Sequence, residues 1–376
     1  MAFFSTTRAP RALLTPLLLA AKPRALCAMA APPKRVVFLG TPSVAARSLE
    51  LLLGAAKEGD STFEVTAVVS QPPAPSGRKK KLTPSPVHTL AESMGVPLMT
   101  PPNAKDDDFL TALADLEPDL CVTAAYGCFL PQRFLDIPKF GTLNIHPSLL
   151  PLYRGAAPVQ RCLEMGDAVT GVTVAFTVLA MDAGPVLRQV ERPLNGDELA
   201  PDLLLELFEQ GTGLLVDALP SVWDSSCEAT LIQQDGDKAS KANKISNAEA
   251  ELRLDTVSAL VAHNRCRGFA GWSGPGTWTE FSLGDGKPPV RAKLLKTCVV
   301  DGDTPTGGGD GGESDRSVRL NKKDDVLEMT CSDGSVFGVT ELTLPGKKPT
   351  NAKSFWNGLN GRTASWVGAD EKEAAE

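Results

Sequence analysis

Apolar positions fall into two rhythms along most of the chain. Arg35 to Gly40, RVVFLG, is an unbroken apolar run of strand length, and TPSVAARSLELLLGA after it is apolar at helical spacing, with Thr41 or Ser43 placed to cap the helix. FEVTAVVS (63–70) predicts a second strand, PSPVHTLAESMGVP (84–97) a helix, and LEPDLCVTAAYG (116–127) a buried strand entered from a proline turn. GTLNIH (141–146) and TGVTVAFTV (170–178) continue the strands, and an apolar-periodic helix from Pro201 to Val222 closes the unit. Strands alternating with helices predict an α/β fold built on a doubly wound, mostly parallel sheet.

After Trp223 the pattern changes. The stretch to Ser246 turns polar and predicts a linker. One helix is expected from Ala248 to Arg265, followed by short strand candidates GTWTEFSL, VRAKLLKTCVV, DVLEMTC and SVFGVTELTL, separated by Gly, Asp and Pro turns. That spacing predicts a small β-barrel. The insert DGDTPTGGGDGGESDRS is of low complexity and predicts a loop pointing away from any polyanion. Its formal G-x-G-x-x-G (Gly307, Gly309, Gly312) is not led by a strand or followed by a helix, as dinucleotide binding requires. The first strand–helix turn, FLGTPS, lacks the fingerprint too.

Composition adds bounds. The chain has 376 residues, enough for two cores, with 42% hydrophobic and 22% charged residues. A net charge of −7 means that an anionic partner must be met by a local basic patch. Eight cysteines, scattered singly without a C-x-x-C pair, argue for reduced thiols and against a zinc site or disulfide framework. The N-terminus carries Arg8, Arg11, Lys22, Arg24, Lys34 and Arg35 before the first acidic residue, Glu50. Basic, hydroxylated and acid-free, residues 1–33 predict an unstructured organellar transit peptide, with a secretory signal peptide as the rival reading. Mitochondrion is expected, with chloroplast as the alternative. No other run reaches the ~20 apolar residues of a membrane span.

The candidate chemistry lies in NIHPSLLPLYRGAAPVQ (144–160), which holds one of only three histidines. In a strand, residues two apart share a face, so Asn144 and His146 project together at the C-terminal end, where open α/β sheets place ligands. Asp182 in LAMDAGPVL supplies a carboxylate, expected at the end of the next strong strand. A proton acceptor, its orienter and an oxyanion donor on adjacent strand ends would suit acyl transfer. From these residues alone, a structural histidine and a turn-forming aspartate stay open as alternatives.

GTLNIHPSLLPLYRGAAPVQR together with AMDAGPVL resembles the folate-dependent formyltransferases. FLGTPSVAARSLELL, GRKKKLTPSPVHTLAE, AAYGCFLP, ANKIS and LPGKK are similar to the branch of that family acting on methionyl-tRNA, over residues 35 to 360. The resemblance implies a Rossmann-like catalytic domain (34–222), a linker (223–246), an OB-like tRNA-binding domain (247–366) and an acidic tail (367–376). It implies that Asn144 binds the formyl oxygen of 10-formyltetrahydrofolate and stabilises the tetrahedral intermediate. His146 would act as acid–base or electrostatic aid, with Asp182 orienting it. Ser148, Leu149, Leu150 and Pro151 would shape the folate-binding loop, and the pterin would meet backbone near Val178 to Met181. No metal is implied. The acceptor would be the neutral α-amine of initiator methionyl-tRNA, so no covalent enzyme intermediate is needed, and Cys121, Cys128 and Cys162 are expected in the core or helices.

Arg78, Lys79, Lys80 and Lys81 in SGRKKKL would meet the acceptor end of the tRNA, with Arg78 in the key arginine's place. Lys79 stands where many relatives have glycine, and QPPAPS lacks the common acidic residue. The barrel would add a weaker basic surface through Lys287, Arg291, Lys293, Lys296, Lys347 and Lys348. Nothing demands an assembly, so a monomer is expected. The alternatives are a related formyltransferase or hydrolase acting on a small-molecule amine, or a folate- or RNA-binding module without turnover.

Overall fold

Alternation within single strands sets the layers. β1 (Lys34–Gly40) sends Val36 and Phe38 into one core and Val37 and Leu39 into another, and all four are fully buried. A strand buried on both faces needs helices on both sides, as a doubly wound sheet provides. The computed structural model describes residues 1, 32–77, 80–272, 274, 276–300 and 315–368. Nearly all of the expected transit segment, Arg78, Lys79, most of the Gly-rich insert and the last residues of the acidic tail therefore lie outside the described residues.

After β1 come α1 (Ser43–Ala55), β2 (Phe63–Val69), the hairpin β3 (Ala74–Ser76) and β4 (Lys81–Thr83), α2 (Pro86–Met94), β5 (Leu98–Met99) and α3 (Asp107–Asp115). Then follow β6 (Leu120–Ala124), α4 (Gln132–Leu135), β7 (Thr142–His146), β8 (Arg154–Gly155), α5 (Pro158–Met165), β9 (Val169–Phe176), β10 (Val186–Pro193) and α6 (Ala200–Trp223). The main sheet runs β10-β9-β7-β6-β1-β2-β5. Its pairs from β5 through β7 are parallel, whereas β9 is antiparallel to both β7 and β10. Leu49 and Leu52 of α1 and Leu203, Leu207 and Leu215 of α6 cover the Val36/Phe38 face. Phe109, Leu110 and Leu113 of α3 and Phe134 of α4 cover the other. The expected side-chain cap of α1 is absent: Pro42 holds the cap position, and the Thr41 hydroxyl instead donates to Tyr126 O at 2.9 Å.

The C-terminal part comprises β11 (Lys241–Ala242), α7 (Ala259–Gly268), β12 (Trp278–Ser282), β13 (Val290–Val299), β14 (Arg319–Asn321), β15 (Val326–Thr330), β16 (Val336–Thr343), β17 (Thr350–Asn351), α8 (Ala352–Gly358) and β18 (Ser365–Trp366). An antiparallel sheet runs β14-β15-β16-β13-β12-β18. Its two ends meet: Val318 N–H donates to Ala364 O at 2.9 Å and Trp366 N–H to Arg316 O at 3.0 Å. The sheet thus closes on itself into a small barrel, which removes its open edges. Trp366, Phe281 and Phe337 fill its separate core.

Two expectations change here. The helix predicted over 248–265 is only a 3-10 turn at Ala248–Ala250, and α7 begins at Ala259. Leu252 and Leu254 are buried in extended chain, with Leu252 N–H donating to Trp278 O at 2.8 Å, and Ser258 then caps α7. The polar stretch after Trp223 is also no free linker. β11 pairs in parallel with β8, and Ile232 pairs with Val186 just before it. The described residues from Pro33 onward form one compact unit.

Candidate active site

The site begins with the register of β7. Asn144 lies opposite Thr123 of β6 and Ala175 of β9, and His146 lies opposite Thr173 of β9. Asn144 and His146 therefore share a face, while Ile145 between them packs in the core below α6. The Thr123 hydroxyl donates to Asn144 Oδ1 at 2.8 Å, which turns the amide so that Nδ2 faces away from it.

His146 is 4% exposed, with Nε2 at 2.9 Å from Tyr153 O. A carbonyl only accepts, so Nε2 carries the proton and the neutral ring presents the Nδ1 lone pair on its other side. Nδ1 lies 3.8 Å from Asp182 Oδ1, beyond direct hydrogen bonding but within reach of an imidazolium's charge. Asn144 Nδ2 lies 3.5 Å from the same oxygen, and Gly155 N–H donates to Asp182 Oδ2 at 2.9 Å. The three candidate residues thus converge. Asp182 arrives by a different route from the expected strand end, however. Because β9 runs antiparallel to β7, its C-terminal end lies beside Leu143, and Asp182 returns to the imidazole on the loop 177–185, with φ +50°.

The loop after His146 is held by its neighbours. Thr173 Oγ1 donates to Ser148 O at 2.7 Å and accepts from Leu150 N–H at 3.2 Å and Gln189 Nε2 at 2.7 Å. Ser148 is fully buried, its hydroxyl donating to Leu152 O at 2.7 Å, and Leu150 packs with Ala175 and Val186. Ser148, Leu149, Leu150 and Pro151 accordingly lie outside the walls of the cavity beside them and set the path of the loop, whereas Pro147, Gly155 and Ala156 reach its surface.

That cavity, of ≈ 640 Å³, opens above Asn144, His146 and Asp182. Its walls are mainly apolar, including Phe129, Leu130, Val178, Leu179, Met181 and Phe208, and Asp182 is the one charged side chain among them. The buried Thr177 hydroxyl in the same wall has no protein partner. A concave apolar site with a few converging polar groups suits a flat heteroaromatic ligand. Cys121 and Cys162 are buried, and desolvation raises both thiols, Cys162 to about 12. Cys128 departs from expectation by lining the cavity, but burial raises its thiol as well, so it is no ready nucleophile. Among the described residues no group of three or more His, Cys, Asp or Glu could hold a metal ion.

Of the expected tRNA contacts, Lys80 and Lys81 are exposed at the β3–β4 hairpin, and Arg78 and Lys79 beside them lie outside the described residues. On the barrel, Arg291, Lys293 and Lys347 line a cleft of ≈ 340 Å³ in which the Arg291 guanidinium sits 3.7 Å from the Trp278 ring centre. Lys287 and Lys296 pair with Asp285 and Glu341, and Lys348 is exposed.

Residues 34–219 match the family described as "Formyl transferase", and residues 244–360 match "Formyl transferase, C-terminal domain". The chain belongs to the formyl transferase family. Among its members this formyl transferase is 38% identical over 325 residues to a methionyl-tRNA formyltransferase of Chromohalobacter salexigens, covering 86% of this chain and 93% of that one. It is 39% identical over 302 residues to the methionyl-tRNA formyltransferase of Novosphingobium aromaticivorans, covering 80% and 89%. Among solved structures, an N-formyltransferase of Helicobacter canadensis in complex with folinic acid and dTDP-3-aminofucose shares the fold, with TM-score 0.55, 16% identity and coverage of 82% and 98%.

Thr123, Thr173 and Gln189 complete the site without having been singled out from sequence, and Gly155 does so from within the family-like run LYRGAAP. Each of the first three is an ordinary residue in its own segment, and only strand pairing brings it to the cluster.

Proposed function

We propose that this formyl transferase moves the formyl group of 10-formyltetrahydrofolate to the α-amino group of initiator methionyl-tRNA. The observation that carries this reading is the convergence of Asn144, His146 and Asp182 on one cavity in a chain of this family. The donor supplies a formyl group activated toward amines, and the chain's residues do the rest.

Asn144 Nδ2, turned by Thr123, is the donor for negative charge developing on the formyl oxygen; one such donor is worth about 10²–10³ in rate. His146, protonated at Nε2 toward Tyr153 O, has Nδ1 available to take the proton that the neutral α-amine must lose as its bond to the formyl carbon forms. Asp182 stabilises the resulting imidazolium from 3.8 Å, and the proton then goes to N10 of the donor as the formyl C–N10 bond breaks and tetrahydrofolate leaves. No covalent enzyme intermediate is needed, in keeping with thiols raised by burial. Phe129, Val178, Leu179 and Met181 offer the apolar surface that a pterin ring requires, and residues 148–151 fix the loop behind it.

Lys80 and Lys81, with Arg78 and Lys79, form the basic patch for the acceptor end, and the Arg291/Lys293/Lys347 cleft is a second phosphate-binding surface. The basic, acid-free residues 1–33 support an organellar form, in mitochondria ahead of chloroplasts, acting as a monomer in translation initiation. Two measurements test these points: formylation of methionyl-tRNA by purified residues 32–376, and organellar import of a reporter fused to residues 1–33. Turnover of a small-molecule amine with no use of methionyl-tRNA would refute the substrate assignment, and a cytosolic reporter would refute the organellar one.

A further inference from the structure

Asp182 must be held in place against its own backbone. Its φ of +50° is a conformation that aspartate tolerates but does not prefer, and such residues persist only where their surroundings fix them. The fixing group comes from the polar stretch that composition marks as a linker.

Gln234 uses its whole amide. Nε2 donates to Asp182 O at 2.8 Å and to Gly184 O at 2.7 Å. Oε1 accepts from Arg154 Nε at 3.0 Å and Arg154 Nη2 at 2.7 Å. Two carbonyls at one end and a guanidinium at the other fix the amide's orientation, because a flipped amide would lose all four bonds. One side of this clamp is the turn carrying Asp182. The other is Arg154, next to Gly155, whose N–H binds the Asp182 carboxylate at 2.9 Å.

The same stretch reaches the imidazole's side of the site. Ser240 Oγ accepts from Tyr153 N–H at 2.8 Å and Ser240 O accepts from Arg154 N–H at 2.8 Å, and Tyr153 O is the partner of His146. Gln234 is half-buried and does not line the cavity, so it acts only through the residues it holds.

We infer that Gln234 is a positioning residue for formyl transfer, setting the distance and angle of the Asp182 carboxylate to His146 and Asn144. This rests on the proposed role of Asp182. Shifts of about 1 Å at a reacting centre can cost about 10²-fold in rate.

The test is a double-mutant cycle on purified residues 32–376, with kcat and KM for both substrates and the thermal midpoint measured for each variant. Gln234→Met keeps the length and removes all four bonds. Gln234→Glu keeps the contact with Arg154 but turns a carboxylate oxygen toward two carbonyls. Each is expected to lower kcat about 10- to 100-fold, with both KM values within about twofold. In an Asp182→Asn background, Gln234→Met should cost less than about twofold more, because the carboxylate it positions is already gone. A Gln234→Met enzyme at wild-type kcat would overturn the inference, as would equal losses in both backgrounds. Misfolding of both Gln234 variants would make the residue an anchor of the fold and overturn it too. Failure of the underlying reading is visible separately, as an Asp182→Asn single variant with full activity.

Discussion

At the scale of single residues, the site is ordered by hydrogen bonds that fix which way each polar group faces. The Asn144 amide could face either way in an apolar wall, and the Thr123 hydroxyl at 2.8 Å decides between them. Thr123→Val keeps the shape and removes that bond. The amide is then free to turn its oxygen toward the formyl oxygen. A net hydrogen bond is worth about 1 kcal/mol, so kcat should fall roughly 5-fold with an unchanged folate KM. Steady-state kinetics at saturating methionyl-tRNA would check this, and an unchanged kcat would refute it. Asn144 and His146 were legible as a pair because they lie two apart on one strand, whereas Asp182, a turn former by its local sequence, joined them as a candidate mainly through the family resemblance. Their holders were not legible. Thr123, Thr173, Gln189 and Gln234 are common polar residues in their own segments, and their importance comes from partners up to 80 positions away.

At the scale of elements, β8 and β11, with two residues each, tie the stretch after α6 to the loop that carries Gly155. Gly155 sits at φ +127°, where a Cβ would come within 2.7 Å of Ala242 O. Neither the backbone angle nor the space admits a side chain there. Gly155→Val should therefore separate β8 from β11, take the N–H away from Asp182, and lower unfolding free energy by about 1–3 kcal/mol. Urea denaturation and kcat should move together, and loss of only one would argue against the pairing as described. The strands of the main sheet were readable from apolar runs because burial on both faces leaves a compositional trace. The direction of β9 was not, since alternation reads the same in both directions, and so Asp182 was expected on a strand end rather than on a returning loop. Apolar spacing predicts helix over 251–257 because spacing alone does not record that Leu252 bonds to a strand.

At the scale of the whole molecule, the barrel packs on the sheet domain through α7. Its buried His263 has Nδ1 2.9 Å from Thr297 Oγ1, Nε2 3.2 Å from Gly196 O and 3.4 Å from Asp197, with Arg267 nearby on the same helix. Burial, reinforced by Arg267 and opposed by the Gly196 carbonyl and Asp197, holds its pKa below 6.5. The unfolded chain therefore takes up a proton that the folded one refuses. Stability is complete above about pH 6.5 and declines as pH falls toward the folded-state value, by at most about 1.4 kcal/mol per pH unit. His263→Gln should flatten that decline between pH 7.5 and 5.5 in urea titrations; an unchanged slope would exclude His263 as its source. Charge at this scale is also testable. Lys80→Glu with Lys81→Glu should raise the KM for tRNA, leave that for folate unchanged, and reduce the salt dependence of tRNA binding by about two counterions. Equal effects on both substrates would contradict the patch's role.

The polar stretch between the two cores is where a reader of composition would expect spare chain. It is stitched to β8 and to the Asp182 turn, so if Gln234 positions Asp182 its length has to be right. Single-residue insertions between 232 and 242 should silence turnover while leaving both cores folded. A family of proteins built this way would vary its loops elsewhere and keep the count here.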